Sequence, residues 1–400
     1  MTGCVLTLPW LRLRRSATSR ALHLGRLLMI SLLGSALSVV MFGWSTLYAT
    51  KFLTLVLLVL VWMSPLLLLD VLRVSHVRRS VWVALAVCTL AYVVSDLAPH
   101  TMPDAVRAVI FGGGFDQYAD GRPRGFTDES SSFATLVARL LLIAYVIWEA
   151  RRPYSGLRLI GFLAGVALVL VALGSKGAVG AIALALIAVC AGRRQIGYLL
   201  LLLPLAAWTA STQLEALLID IAEFTSTSTR VGMAMAGLLA VLVNPIGYGH
   251  YGFYGAVHTF GNVSMEWLSG VSPFIWTEMQ EIVNELINVS TKSTTLDFAI
   301  CFGWAFLWLL WTLSRRIDLH DPRARAVFTY LIVSSLSTSA NASVLFFLGM
   351  AMLLRLFPRR EWVAPRRRGH AAAGMSCPVP RVARPADEPI PCPSHRQGST

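Results

Sequence analysis

Asn244-Pro245-Ile246-Gly247-Tyr248-Gly249-His250-Tyr251-Gly252 sits inside a polar stretch, residues 211–295, that interrupts an otherwise apolar chain. The same stretch holds Arg230, His258, Glu278 and Lys292. It is too polar to cross a bilayer as a whole. Its Gly punctuation, aromatic residues and periodic apolar positions mark it as folded and functional, the usual role of a long connection of this kind. Leu214, Leu217, Leu218 and Ile221 recur at i, i+3, i+4, i+7. Ile275, Met279, Ile282, Val283 and Leu286 do likewise, with Glu278, Glu281 and Glu285 off the stripe. Both patterns predict helices lying on a membrane surface or on a helical bundle. Residues 230–243 are apolar but too short to span, and Pro245 closes them.

Outward from this stretch the chain is apolar. Of its 400 residues 56% are hydrophobic and 14% charged, against about a quarter charged in soluble proteins; mean hydropathy is +0.65. Runs approaching the ~20 residues needed to cross a bilayer predict an all-α polytopic membrane protein. They lack the alternation of a transmembrane barrel. About ten spans are expected, at 27–49, 52–69, 81–98, 133–149, 157–173, 178–191 and 196–210 before the polar stretch, and at 296–313, 326–337 and 343–357 after it. A basic segment, 1–26, precedes them; a signal peptide is the alternative reading, but the following run is long for one and shows no clear cleavage site. A Pro- and Arg-rich tail, 358–400, has the composition of disorder.

The net charge of +13 invites a nucleic-acid reading. The arginines argue against it, because they fall in short clusters between apolar runs, as in cytoplasmic loops. With both termini inside, only Lys51, Arg107, Arg122, Arg124, Lys176, Arg230 and Lys292 lie on the far side, and Arg139 lies within a run. On this arrangement the polar stretch is a large loop outside the cytoplasmic membrane, between the seventh and eighth spans. The six cysteines are scattered, without metal or redox spacing.

The rare outward cations Arg122, Arg124, Lys176, Arg230 and Lys292 suit a lipid-linked anionic substrate, since Arg pairs bidentately with phosphate oxygens. Taken singly, each could equally contact lipid headgroups through its long stem. Arg139 carries charge inside a helix, which costs ~2.5–3.5 kcal/mol at mid-bilayer on insertion scales and so marks a functional candidate; it stands close enough to the outer boundary to reach headgroups. His250 and His258 are candidate general bases, although a His among Gly and Tyr is more often structural. No Asp-x-Asp occurs and no carboxylate is spaced to form a metal site with the histidines, so no metal or other cofactor is expected. Gly112-Gly113-Gly114 lacks the Lys-Ser/Thr of a phosphate-binding loop.

The string Arg122-Pro123-Arg124-Gly125-Phe126-Thr127-Asp128-Glu129-Ser130-Ser131-Ser132-Phe133-Ala134 resembles the Arg-x-Gly-x-x-x-Glu-Pro-Ser-x-x-Ala signature of bacterial O-antigen and exopolysaccharide polymerases, with Ser130 in place of Pro. Leu173-Gly174-Ser175-Lys176-Gly177-Ala178 is similar to a Gly-Ser-Arg/Lys-Gly turn of the O-antigen ligase/polymerase superfamily. Arg230 followed by Asn244-Pro245-Ile246-Gly247-Tyr248-Gly249 is similar to its Arg…Asn-Pro-x-x-Gly-x-Gly pattern. Lys292-Ser293-x-x-Leu296 with Gly303 has the spacing of its His-Asn-x-x-Leu…Gly. The resemblance implies a membrane-embedded (GT-C type) glycosyltransferase that moves a glycan from undecaprenyl diphosphate to a hydroxyl of the next lipid-linked repeat, without metal or nucleotide sugar. It further implies work beside a flippase and a chain-length regulator. Arg124, Lys176, Arg230 and Arg139 would hold the diphosphate, and Glu129 would be the first candidate base, ahead of His250 and His258. Glu129 could instead pair with Arg124. Ligases of this superfamily carry His where this chain has Lys292, which favours a polymerase. A glycan ligase of the same fold, and a transporter or flippase of another class, are the competing readings.

Overall fold

A computed structural model of the chain describes residues 15–69, 71–93, 130–190, 225–270, 275–285, 289–337 and 343–359. Helices carry nearly all of them. They are α1 (Arg15–Phe42), α2 (Thr46–Leu67), α3 (Val74–Tyr92), α4 (Ser130–Glu149), α5 (Gly156–Ala172), α6 (Lys176–Cys190), α7 (Thr225–Val243), α8 (Gly249–Ser269), α9 (Thr277–Gln280), α10 (Thr294–Phe302), α11 (Trp304–Arg316), α12 (Pro322–Leu336) and α13 (Ser343–Leu356), with a π-helical turn, Glu281–Glu285, after α9. The β pairing among the described residues is a single isolated bridge, Ile317 to Pro358. Three helices are long and apolar enough to cross a membrane, Gly25–Phe42, Thr46–Leu67 and Ser131–Glu149; Gly156–Ala172, Gly177–Cys190, Ser228–Val243 and Ser343–Leu356 are apolar and shorter. This fits an all-α membrane protein. The expected span at 196–210, the amphipathic pattern from Leu214 to Ile221 and the tail beyond residue 359 lie outside the described residues.

Local chemistry sets the helix ends. The sequence suggests a break near Lys51, yet the chain turns at Gly43 (φ +74°) and restarts at Ser45, whose hydroxyl accepts from Tyr48 N, the ordinary side-chain cap of an orphan N–H. Lys51 is consequently inside α2, with its ammonium 5.8 Å from the centre of the Tyr254 ring. Ser155 caps α5, Ser293 caps α10, and Asp321 caps α12 with Pro322 at its first position.

At one end of the bundle, arginines of α12 and α13 donate to backbone carbonyls at helix ends and in the turns beside them. Arg355 donates to Leu69 O (2.6 Å) and to Leu72 O, just past α2. Arg323 donates to Glu149 O (2.6 Å) and Arg152 O (3.0 Å) at the end of α4. Arg325 donates to Val189 O (3.2 Å) on α6. Of these, Glu149 O and Val189 O are last-turn carbonyls without a partner in their own helices, at the negative end of the helix dipole, which a guanidinium complements.

The expected large loop contains a helical hairpin. α7 and α8 pack side by side, joined by the turn Asn244–Tyr248, and α8 lies along α1. Helix begins at Gly249, so His250 and Gly252 are helical rather than part of a Gly-rich loop. Small residues allow this close approach, as in membrane helix pairs generally: a Cβ on Gly249 or Gly252 would collide with Ser35 or Ser38 of α1. The turn docks into a break in the segment that sequence periodicity predicts as one helix at 296–313. Gly303, at φ +61° and ψ −149°, separates α10 from α11. Tyr248 N donates to Ile300 O (2.8 Å) and Trp304 N to Pro245 O (2.8 Å). The turn thus replaces backbone partners that the break removes.

Candidate functional site

At the end of the bundle opposite the arginine-capped loops, four helix ends converge through side-chain hydrogen bonds. Arg230, in the second turn of α7, donates to Ser337 O (2.8 Å) past the end of α12 and to Ser131 Oγ (2.9 Å) at the start of α4. A Cβ on Gly177, in the first turn of α6, would sit 3.6 Å from Ser337 Oγ. Ser131 belongs to the Glu129-containing string and Gly177 to the Gly-Ser-Lys-Gly turn, so three motifs far apart in sequence share one small region.

The fourth is the loop before α10. Lys292 is the non-glycine residue with positive φ (56°) among the described residues, a conformation that disfavours a residue with Cβ by about 1–2 kcal/mol. The surrounding loop holds it there. Buried Asp297 accepts from Thr291 N (2.7 Å), Thr291 Oγ1 (2.8 Å) and Ser290 Oγ (2.8 Å). Ser290 Oγ in turn accepts from Lys292 N (3.1 Å), and Ser293 Oγ donates to Ser335 O on α12 (3.2 Å). Strain maintained by its surroundings in this way is characteristic of functional loops. Its consequence is directional: Lys292 Nζ lies 3.3 Å from Glu278 Oε1.

Glu278 joins the two halves. Its other oxygen accepts from Thr229 Oγ1 (3.1 Å), beside Arg230 in sequence. α9 and the π-helical turn hold Glu278 through Met279 and Trp276, which lie against α7 where a Cβ on Gly232 would strike them. The side chains of Lys292 and Glu278 are 14% and 30% exposed, so both are partly desolvated and both can be reached. A multiply charged anion that reached Lys292 would compete with Glu278 for its ammonium. Arg230 and the Lys292–Glu278 pair, which Thr229 reaches from the residue before Arg230, bring two cations and a carboxylate to the same end of the bundle, the charges that a diphosphate and a proton transfer call for.

The remaining predicted site residues divide as follows. Arg122, Arg124 and Glu129 lie outside the described residues. Lys176 opens α6 beside Gly177, but its side chain is outside them too. Arg139 is fully buried, not extended toward a boundary. Its Nε and Nη2 meet Ser334 Oγ at 3.3 and 3.1 Å, one turn before the Ser337 carbonyl that Arg230 uses. It supports the end of α12 from within the bundle. His250 is fully buried: its backbone N donates to Ser31 Oγ (3.2 Å), its Nδ1 contacts the same hydroxyl, and its ring meets Phe302 edge-on at 5.2 Å. It belongs to the packing of the hairpin tip. His258 is exposed on α8, with Nδ1 donating to Val283 O (2.7 Å) in the π-helical turn. Among the described residues no group of three or more His, Cys, Asp or Glu is placed to hold a metal ion.

Glu278 is the member of the site that the sequence names within the polar stretch but to which it gives no role. Its heptad-like position matches those of Glu281 and Glu285, and all three read as one polar face. Only the fold, by bringing Thr229 and Lys292 to it, distinguishes it.

The chain is 34% identical over 97 residues to the "Uncharacterized 49.5 kDa protein in cps region" of Klebsiella pneumoniae. That match covers 24% of this chain and 23% of the Klebsiella protein. No protein-family profile matches the chain, and no solved structure matches it.

Proposed function

We propose that this chain is a membrane glycosyltransferase that joins oligosaccharide repeat units carried on undecaprenyl diphosphate, releasing undecaprenyl diphosphate at each step and building a capsule, exopolysaccharide or O-antigen. The observation that carries this reading is that Arg230, bonded to Ser131 Oγ and Ser337 O, follows directly on Thr229, whose hydroxyl donates to Glu278 of the partly exposed Glu278–Lys292 pair. The partial likeness to a protein of a cps, or capsule polysaccharide, region supports the pathway context. Lys292, standing where ligases of the resembling superfamily have His, supports polymerase over ligase.

In this proposal about ten helices span the inner membrane of a bacterium, both termini face the cytoplasm, and the Arg230 end faces the periplasm. The α7–α8 hairpin enters the membrane from that side and returns. Arg230 and Lys292 hold the diphosphate, joined by Arg122, Arg124 and Lys176 from adjoining loops. Fixed cations stabilise charge that develops on the leaving group, and orientation of the acceptor hydroxyl supplies much of the remaining rate. A flippase delivering the lipid-linked repeat and a chain-length regulator are the expected partners. Deletion of the gene followed by gel analysis of surface polysaccharide tests this. Single repeat units or absent polymer are expected. Full-length chains stranded on the lipid carrier would indicate a ligase, and an unaltered polysaccharide would overturn the reading.

A further inference from the structure

We infer that Glu278 is the base that accepts the proton of the attacking hydroxyl. This rests on the proposed glycosyl transfer and identifies the group that its chemistry requires. The reaction forms a bond from the acceptor oxygen to the anomeric carbon. It breaks the bond from that carbon to the diphosphate oxygen, which leaves with the electron pair. The acceptor hydroxyl then loses its proton, and a carboxylate beside the diphosphate cations is the economical recipient.

Glu278 meets the geometric conditions. Oε1 faces Lys292 Nζ at 3.3 Å, the position a bound diphosphate would compete for. Oε2 is oriented by Thr229 Oγ1 at 3.1 Å. The side chain is 30% exposed, so an acceptor can approach it. When the diphosphate draws Lys292 toward itself, Oε1 loses a charged neighbour and turns to the incoming hydroxyl. His250 is buried at the far tip of the hairpin, and His258 meets Val283 O of the π-helical turn rather than Lys292 or Thr229. Thr229 orients Glu278 and is a positioning residue.

The test separates this assignment from the function beneath it. Full-length wild-type protein and the variants Glu278→Gln, Glu278→Asp and Glu129→Gln are purified in nanodiscs and titrated with undecaprenyl diphosphate. The same variants replace the chromosomal gene, and surface polymer is measured. Glu278→Gln keeps the Thr229 hydrogen bond and removes a negative charge beside the cations. It is expected to bind undecaprenyl diphosphate as tightly as wild type or several-fold more tightly, while polymer falls at least a hundredfold. Glu278→Asp should retain a measurable fraction. Weaker binding by Glu278→Gln, with polymer lost in proportion, would show that Glu278 only holds Lys292 and would overturn the inference. Normal polymer from Glu278→Gln, or loss confined to Glu129→Gln, would overturn it as well. Failure of the wild type to bind undecaprenyl diphosphate would instead remove the proposed function.

Discussion

Replacing Gly303 by alanine should unseat the hairpin turn from the break between α10 and α11. The cost follows from three observed features. At φ +61° and ψ −149° the backbone is in a region essentially reserved for glycine, which costs a residue with Cβ about 1–3 kcal/mol. The added Cβ would collide with Pro245 O and lie 2.6 Å from Ile246 O. Both are backbone atoms that no rotamer change can move, and overpacking of this kind costs about 1–3 kcal/mol. Separating the turn from the break also weakens the bonds Tyr248 N to Ile300 O and Trp304 N to Pro245 O, worth on the order of 1 kcal/mol each. Together these amount to about 4–8 kcal/mol, a large part of the ~5–15 kcal/mol that holds a typical protein together. Gly165→Ala in α5 is the control, since nothing lies within 4 Å of its Cβ; there alanine should add about 0.5–1 kcal/mol. Reversible unfolding in mixed detergent micelles measures both. If Gly303→Ala unfolds within about 1 kcal/mol of wild type, the docking of the turn has been misjudged.

Lys292→Gly removes the side chain but suits the positive φ of that position. Stability should stay level or rise by about 1 kcal/mol while polymer disappears from the gel; retained polymer would show that the ammonium is dispensable. Arg323→Ala leaves the Glu149 and Arg152 carbonyls and the Asp321 carboxylate without their guanidinium, so unfolding stability should drop by roughly 3 kcal/mol. A loss below about 1 kcal/mol would contradict the capping role given to this arginine. A cysteine at exposed Ser269, at the end of α8, should react with membrane-impermeant maleimide added to intact cells with a permeabilised outer membrane; labelling only after lysis would reverse the proposed orientation.

Much of the helical pattern was legible because hydropathy and charge act along the chain. The runs that became α4, α5, α6, α12 and α13 are bounded by arginine clusters, Gly-Ser turns or Pro, and their ends shift by only a few residues. Lys51 misled the reading of the first turn, because a charge near an apolar boundary looks like a loop; Gly43 and the Ser45 cap mark the actual break. The hairpin was only half visible. Its α7 run was recognised as apolar and closed by Pro245, but Gly249 and Gly252 read as loop residues. Their use as sites of close helix approach depends on Ser35 and Ser38, more than two hundred residues away in the chain. Gly303 was noted as part of a motif, while the break it creates needs the Pro245 carbonyl to be apparent. The candidate site shows the same division. Arg230 and Lys292 stood out as scarce cations. Glu278 could not, since its pairing with Thr229 and Lys292 is a product of folding alone, and Arg139 drew attention for a charge that the fold uses inside the bundle.

The central claim is that Arg230 and its neighbours grip a lipid diphosphate. Competition between labelled and unlabelled undecaprenyl diphosphate on purified wild type and Arg230→Ala tests it most directly. Saturable binding by the wild type, weakened tenfold or more by the substitution, is the predicted result, since a lost charge-assisted contact of about 1.5–3 kcal/mol corresponds to about that factor or more. Equal binding by the two proteins would contradict the claim.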